Sequence, residues 1–280
     1  MSGLDDHQIN TRLICLGFFV ALFSAGIGIG GGTLLVSILI SVFGYDFSKA
    51  ASTSLSTIVP ISFVGALSHF LFLRELPDLR YCYIFIPACV LGTIIGGRIV
   101  RKGRNRWLKI VFSVFLLILS LRMLRIVDFP FLIFSELHQL FFSYEWLLIF
   151  PVGLIIGTIA VSLGIGCGLL IVPFFVVTVH LNMHEAITIS LTTMFFLSLS
   201  ATIVNSRLKM LNRRSLKFLI IPALAGAVIG AVISSYLPTS ALKNLFGVFL
   251  FAMGCKYLIS ELSFHRMIKS STLKTAKGIK

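Results

Sequence analysis

The stretch from residue 13 to residue 43 is apolar almost throughout, yet five residues at its middle read Gly28-Ile29-Gly30-Gly31-Gly32. As one helix it would be roughly 46 Å long, against a bilayer core of about 30 Å. Glycine is the residue that lets a chain reverse or approach another backbone closely. Two arms joined by a turn, entering and leaving on one side as a re-entrant hairpin, therefore fit better than a single span.

The same feature recurs. Gly28-Ile-Gly-Gly-Gly-Thr-Leu-Leu-Val-Ser37 reappears as Gly164-Ile-Gly-Cys-Gly-Leu-Leu-Ile-Val-Pro173, 136 residues on. At that offset Ala50 meets Ala186, Ser54-Leu55 meets Ser190-Leu191, Thr57 meets Thr193 and Ser62 meets Ser198. Further along, Gly92 and Gly96 meet Gly226 and Gly230 at an offset of 134, as Leu108-Lys109 meets Leu242-Lys243. The slip falls in a polar connection, where changes of length are tolerated. An ordered series of this kind is an internal repeat.

Each copy reads as a broken first segment followed by three ordinary spans, giving about eight hydrophobic segments. These lie near 13–43, 50–73, 81–100 and 107–126, then 146–180, 186–206, 217–237 and 241–260. The expected organisation is an N-terminal tail (1–12), a first transmembrane repeat (13–127), an interfacial connector (128–144), a second repeat (145–262) and a basic cytoplasmic tail (263–280). Composition agrees with an all-α integral membrane protein. Of 280 residues 57% are hydrophobic and 12% charged, and the mean hydropathy is +1.02. A soluble domain carries about twice that share of charge.

The net charge of +14 does not indicate nucleic acid, because the basic residues sit in short connections. One set is Arg98, Arg101, Lys102, Arg104, Arg106 and Lys109; another is Arg207, Lys209, Arg213, Arg214 and Lys217; the tail holds Arg266, Lys269, Lys274, Lys277 and Lys280. Such loops are expected in the cytoplasm. They fall in non-equivalent connections of the two copies, so the copies are expected to be inverted, a recurring plan among secondary transporters. No basic stretch precedes the first apolar run, so a cleaved signal peptide is not expected.

The candidate site is built from the breaks. Exposed N–H groups at a glycine turn and helix start can cradle an anion. Irregular backbone at membrane depth must be buried in protein or line a wet cavity. Gly28, Gly30, Gly31 and Gly32, with Gly164, Gly166 and Gly168, are thus candidates to bind a small anion; close helix packing is the competing use. The paired hydroxyls Ser54, Thr57, Ser190 and Thr193 could add donors or bond back to their own helices. His69 and Asn205 occupy equivalent positions and are candidates for proton handling, with interfacial solvation as the alternative. Gly92, Gly96, Gly226 and Gly230 read as helix-packing faces. Gly26, Gly28 and Gly31 match GxGxxG spacing but lack the strand, crossover helix and acid of a dinucleotide fold. His180, His184 and Glu185 have no counterpart in the first copy, and the five cysteines show no CxxC spacing. No metal, cofactor or catalytic constellation is expected.

The motifs Gly28–Val36 and Ala50-Ala-Ser-Thr-Ser-Leu55, with Gly164–Pro173 and Glu185-Ala-Ile-Thr-Ile-Ser-Leu191, resemble the TauE/SafE, or sulfite-exporter-like, transporter family. The resemblance covers residues 12–262. It implies a transporter of small anions, often sulfite or organosulfur acids such as sulfoacetate, in the cytoplasmic membrane. Three positions depart from the pattern: Cys167 replaces a glycine, Ser37 stands where proline is frequent, and Glu75–Asp78 lacks a frequent glycine. The expectation is alternating access by a carrier that needs no cofactor, with proton coupling open and the oligomeric state unspecified. A channel, or an intramembrane enzyme or assembly factor, is the alternative.

Overall fold

A computed structural model describes residues 6–72, 78, 80–99, 106–124, 126, 145–163, 166–207 and 213–277. The connector expected at 128–144 and most of the basic connections lie outside these residues. Among the described residues the chain is helical, in the order α1 (Asp6–Ile27), α2 (Gly32–Ser41), α3 (Phe47–Phe72), α4 (Arg80–Ile99), α5 (Arg106–Met123), α6 (Glu145–Leu163), α7 (Gly168–Val177), α8 (Met183–Arg207), α9 (Arg213–Tyr236) and α10 (Thr239–Lys277). Two broken segments and six unbroken ones give these ten helices.

Among the described residues, five helices are long and apolar enough to cross a membrane: Gln8–Ile27, Phe47–Phe72, Met183–Val204, Ser215–Tyr236 and Thr239–Ile259. Their outward faces carry bare apolar side chains, such as Phe19, Leu71 and Ile221, at 57%, 71% and 75% exposure. Lipid is the solvent that accepts such faces. The protein is a multi-pass helical membrane protein.

The tail expected at 1–12 is helical from Asp6, and the basic tail continues α10 to Lys277. The arms of the first hairpin are consequently unequal. α1 has 22 residues and α2 has 10, about 33 Å and 15 Å. The chain does reverse between them, because Gly31 lies against Val20 and Ser24 of α1. Leu13 and Val20 then share a buried cluster with Leu35, Leu39 and Phe43. In the second copy Cys167 folds back to the level of Ile156, its Sγ 3.7 Å from that carbonyl oxygen.

The chain packs as two compact units, each drawing on both repeats: Met1–Lys102 with Pro130–Leu242, and Gly103–Phe129 with Lys243–Lys280. In the second, α5 and α10 pair antiparallel through Leu124 on Gly247 and Leu117 on Gly254. In the first, helices pair across the copies. α1 runs parallel to α9: Gly17 faces Leu219, and Gly226 and Gly230 face the Phe18 and Leu22 carbonyls. α4 runs parallel to α6 in the same manner, with Gly157 on the Cys89 carbonyl and Gly92 on that of Leu154. The glycines expected to be packing faces are packing faces. Backbone meets backbone there, which only a residue without Cβ permits.

α3 and α8, equivalent by sequence, cross antiparallel: Phe63 stacks at 5.2 Å on Phe195, and Gly65 meets Leu191. α4 and α8 begin together, since Tyr81 and Phe85 pack on Phe175 at the end of α7. Tyr45, after α2, hydrogen-bonds Ser215 at the start of α9. Within this unit α4 and α8 therefore end, and α9 begins, where α1 begins. Those helix ends carry Arg98, Arg207 and Arg213.

Candidate functional site

α1 ends because Gly28 turns left-handed, with φ 77°, and its amide and that of Ile29 both donate to the Ser24 carbonyl. This is the glycine-terminated helix end expected where side chains cannot follow. Gly30 and Gly31 continue in left-handed conformations, φ 79° and 62°. Gly31 caps α2 with no side-chain hydrogen bond, and its carbonyl accepts from the Leu35 amide. The amides of Gly32, Thr33 and Leu34 precede any intrahelical acceptor. Residues 24–33 are all buried.

The second break is built differently. Gly164 lies outside the described residues; Gly166 is left-handed with φ 74°. Cys167, the N-cap of α7, is right-handed with φ −82°. That conformation accepts a side chain, so a cysteine fits where the first copy has glycine. The matched position in the first copy, Gly31, is left-handed, and a Cβ on it would lie 2.6 Å from Val20 Cγ1. The Cys167 carbonyl accepts from the amides of both Leu170 and Ile171.

The structure brings the two breaks into contact. Gly168 lies directly on the carbonyl of Gly28 and on Ile29, leaving no room for a Cβ. Ile58 from α3 and Met194 from α8 pack against Gly166, and Met194 also covers Gly30. Ser54 and Ser190 hold this junction. Ser54 Oγ donates to the Gly32 carbonyl of its own copy at 3.3 Å, whereas Ser190 Oγ donates across the copies to the Gly28 carbonyl at 2.8 Å. Both hydroxyls thus brace the backbone of the breaks. Thr57 bonds back to Thr53 at 2.9 Å, while the hydroxyl of its counterpart Thr193 is buried with no hydrogen-bond partner among the described residues. Ser190→Ala should cost about 1 kcal/mol of stability and loosen the junction. A fall in detergent melting temperature, smaller in Ser54→Ala, would register it.

His69 is fully buried, not interfacial. Its Nε2 lies 3.0 Å from the Ala25 carbonyl oxygen; because a carbonyl only accepts, Nε2 carries the hydrogen. The ring therefore satisfies a carbonyl in the last turn of α1 and ties α3 to the break. The side chain of Asn205, on α8, lies outside the described residues. Ion pairs among the described residues, Lys49–Asp46 and Arg80–Asp78, sit on exposed connections away from the breaks. Hydrogen bonds from Arg80 hold the Asp78 carboxyl below its usual pKa.

Two further hydroxyls stand at the first break. Ser24 Oγ and Thr33 Oγ1 are buried and have no hydrogen-bond partner among the described residues. The matched-pair pattern passes over them, because their counterparts are Ala160 and Leu169. The signal was present in the converse pattern, polar residues in one copy alone.

The profile of the family described as Sulfite exporter TauE/SafE matches residues 3–123 and 149–278. A similar protein from Arabidopsis thaliana, Sulfite exporter TauE/SafE family protein 5, is 33% identical over 128 residues, covering 44% of this chain and 28% of that protein. Another from Bacillus subtilis, Probable membrane transporter protein YunE, is 24% identical over 111 residues, 40% of each chain. The matched stretches thus span well under half of these relatives' lengths. No solved structure matches. The profile nonetheless takes in most of the chain and both glycine breaks, so the chain belongs to the sulfite exporter TauE/SafE family.

Proposed function

We propose that this protein is a secondary transporter that carries a small anion across the cytoplasmic membrane by alternating access around the junction of the two breaks. The observation that carries the reading is the contact of Gly168 with Gly28 and Ile29. It joins two irregular, buried segments, one from each repeat, beside the uncapped start of α2. The amides and positive dipole end there favour an anion. The names of the two relatives, a sulfite exporter family protein and a probable membrane transporter, agree with it.

The antiparallel crossing of α3 and α8 supports inverted repeats, in which equivalent elements face opposite sides and can rock about a fixed central site. Basic residues at one end of the first unit support a cytoplasmic placement of that end, and the charge of the tail at 263–280 supports a cytoplasmic reading of the tail by the same rule. The substrate is a sulfite-like, organosulfur or carboxylate anion. Its binding groups are the amides of Gly30, Gly31, Gly32, Gly164, Gly166 and Gly168, with Thr57 and Thr193 adjoining and Ser54 and Ser190 bracing them. The Gly28 amide, committed to the Ser24 carbonyl, shapes the turn instead. His69 and Asn205 are the groups through which proton coupling would act.

The test is flux in proteoliposomes loaded with sulfite, thiosulfate, sulfoacetate or taurine. Saturable uptake with counterflow is the expected result. Uptake without counterflow would indicate a channel, and no substrate-dependent flux for any anion would sink the transporter reading.

A further inference from the structure

Buried hydroxyls in this protein commonly bond back along their own helix. Ser56, Thr57, Ser62, Thr93, Thr188 and Ser198 each donate to the carbonyl four residues earlier, at 2.6–2.9 Å. That bond is available to any serine or threonine in a helix. Ser24, 1% exposed, lies inside α1 and does not make it. Thr33, 0% exposed, stands too near the start of α2 to have an intrahelical carbonyl four residues back. Neither has another partner among the described residues, as is also true of Thr53, Ser120, Thr193, Thr202 and Ser234. An unsatisfied buried hydroxyl costs about 1–3 kcal/mol, so two at one break leave room for a partner that satisfies them.

Ser24 and Thr33 flank the same helix start. Ser24 Oγ lies 3.3 Å from the point a Cβ on Gly31 would occupy, over the N-cap of α2. Thr33 is the second residue of that helix, among the amides left without intrahelical acceptors. Among the described residues, the matched positions of the second break hold no hydroxyl. At the equivalent positions stand Ala160 and Leu169, 2% and 0% exposed, and the Cys167 carbonyl accepts from both Leu170 and Ile171 where the Gly31 carbonyl accepts from Leu35.

We infer that anion recognition is lopsided: Ser24 and Thr33 of the first repeat donate hydrogen bonds to the bound oxyanion, while the positions matched to them in the second repeat, Ala160 and Leu169, are apolar. This rests on the transporter reading above and specifies which half of the junction grips the substrate. The ligand class is a small oxyanion held by neutral donors, which sulfite, sulfonates and carboxylates all satisfy.

The test uses the full chain in proteoliposomes with radiolabelled sulfite, thiosulfate and sulfoacetate. For each anion that the wild type carries, Ser24→Ala and Thr33→Val should raise the half-saturation concentration about tenfold to a hundredfold, the range for a hydrogen bond to a charged partner. Maximal flux should change little, and Ala160→Ser should stay within about twofold of wild type. Melting temperature without substrate should hold or rise in both variants, because an unsatisfied group has been removed. A structural hydroxyl would behave oppositely, lowering the melting temperature and leaving half-saturation alone, and that pattern overturns the inference. Wild-type flux with unchanged half-saturation in both variants overturns it while sparing the transporter reading. Absence of wild-type flux for all three anions removes both.

Discussion

Gly30→Leu should reduce flux to the level of empty liposomes while the protein still inserts and elutes as a folded species in detergent. Gly30 has φ 79° and its missing side chain is replaced by the thioether of Met194. An L residue in this left-handed region carries a strain of about 1–2 kcal/mol. A leucine must also displace Met194, a flexible side chain that can swing aside, so the fold survives. The break does not keep its shape, because its backbone path depends on the glycine. Gly166→Leu, with φ 74° and Ile58 at 3.2 Å, should act in the same direction. Wild-type flux in both variants would reduce the breaks to packing devices.

A larger loss of stability is expected from Gly230→Val. There the obstacle is the backbone carbonyl of Leu22, which cannot rotate away. Relief requires α1 and α9 to move apart along their shared parallel face, undoing contacts at Gly17, Gly26 and Gly226 together. The cost should reach or exceed the upper end of the about 1–3 kcal/mol typical of overpacking. Gly157→Val, against the Cys89 carbonyl, should do the same to α4 and α6. Size-exclusion profiles after heating would show both variants aggregating well below wild type. Gly44→Asn is the control: nothing lies within 4 Å of it, and its left-handed φ of 64° is one that asparagine adopts. A Gly230→Val protein as heat-stable as this control would argue against the close α1–α9 packing.

These two predictions separate glycines that look alike in sequence. Gly30 and Gly230 both lie in apolar segments and both belong to matched repeats. The run Gly28–Gly32 interrupts a helix longer than the membrane is thick, so a break is required. Gly226 and Gly230, four residues apart, fall on one face of an unbroken helix. Spacing alone therefore told a break from a seam. The second break was legible in the same way even though Cys167 interrupts its glycines.

The hydroxyl groups were less legible. Ser54 and Ser190 are equivalent in sequence, yet one braces its own copy and the other reaches the Gly28 carbonyl 162 residues away. Thr57 and Thr193 likewise divide into a bonded and an unbonded group. His69 lies near a helix end in sequence, where water is the usual partner, but the carbonyl that receives its proton belongs to α1. α1 begins at Asp6, ahead of the apolar stretch that starts at residue 13; its polar first turn carries no apolar periodicity to reveal it.

The sequence by itself determined the solvent, the two copies, the positions of the breaks and the faces along which helices could meet backbone to backbone. Those follow from hydropathy, periodicity and the absence of a Cβ, which are properties of each segment. The tertiary structure alone decided that the two breaks touch, which hydroxyls brace them, and which at the first break remain unpartnered. A hydroxyl's partner is set by the backbone that another segment brings within 3 Å or so, and no local pattern encodes that distance.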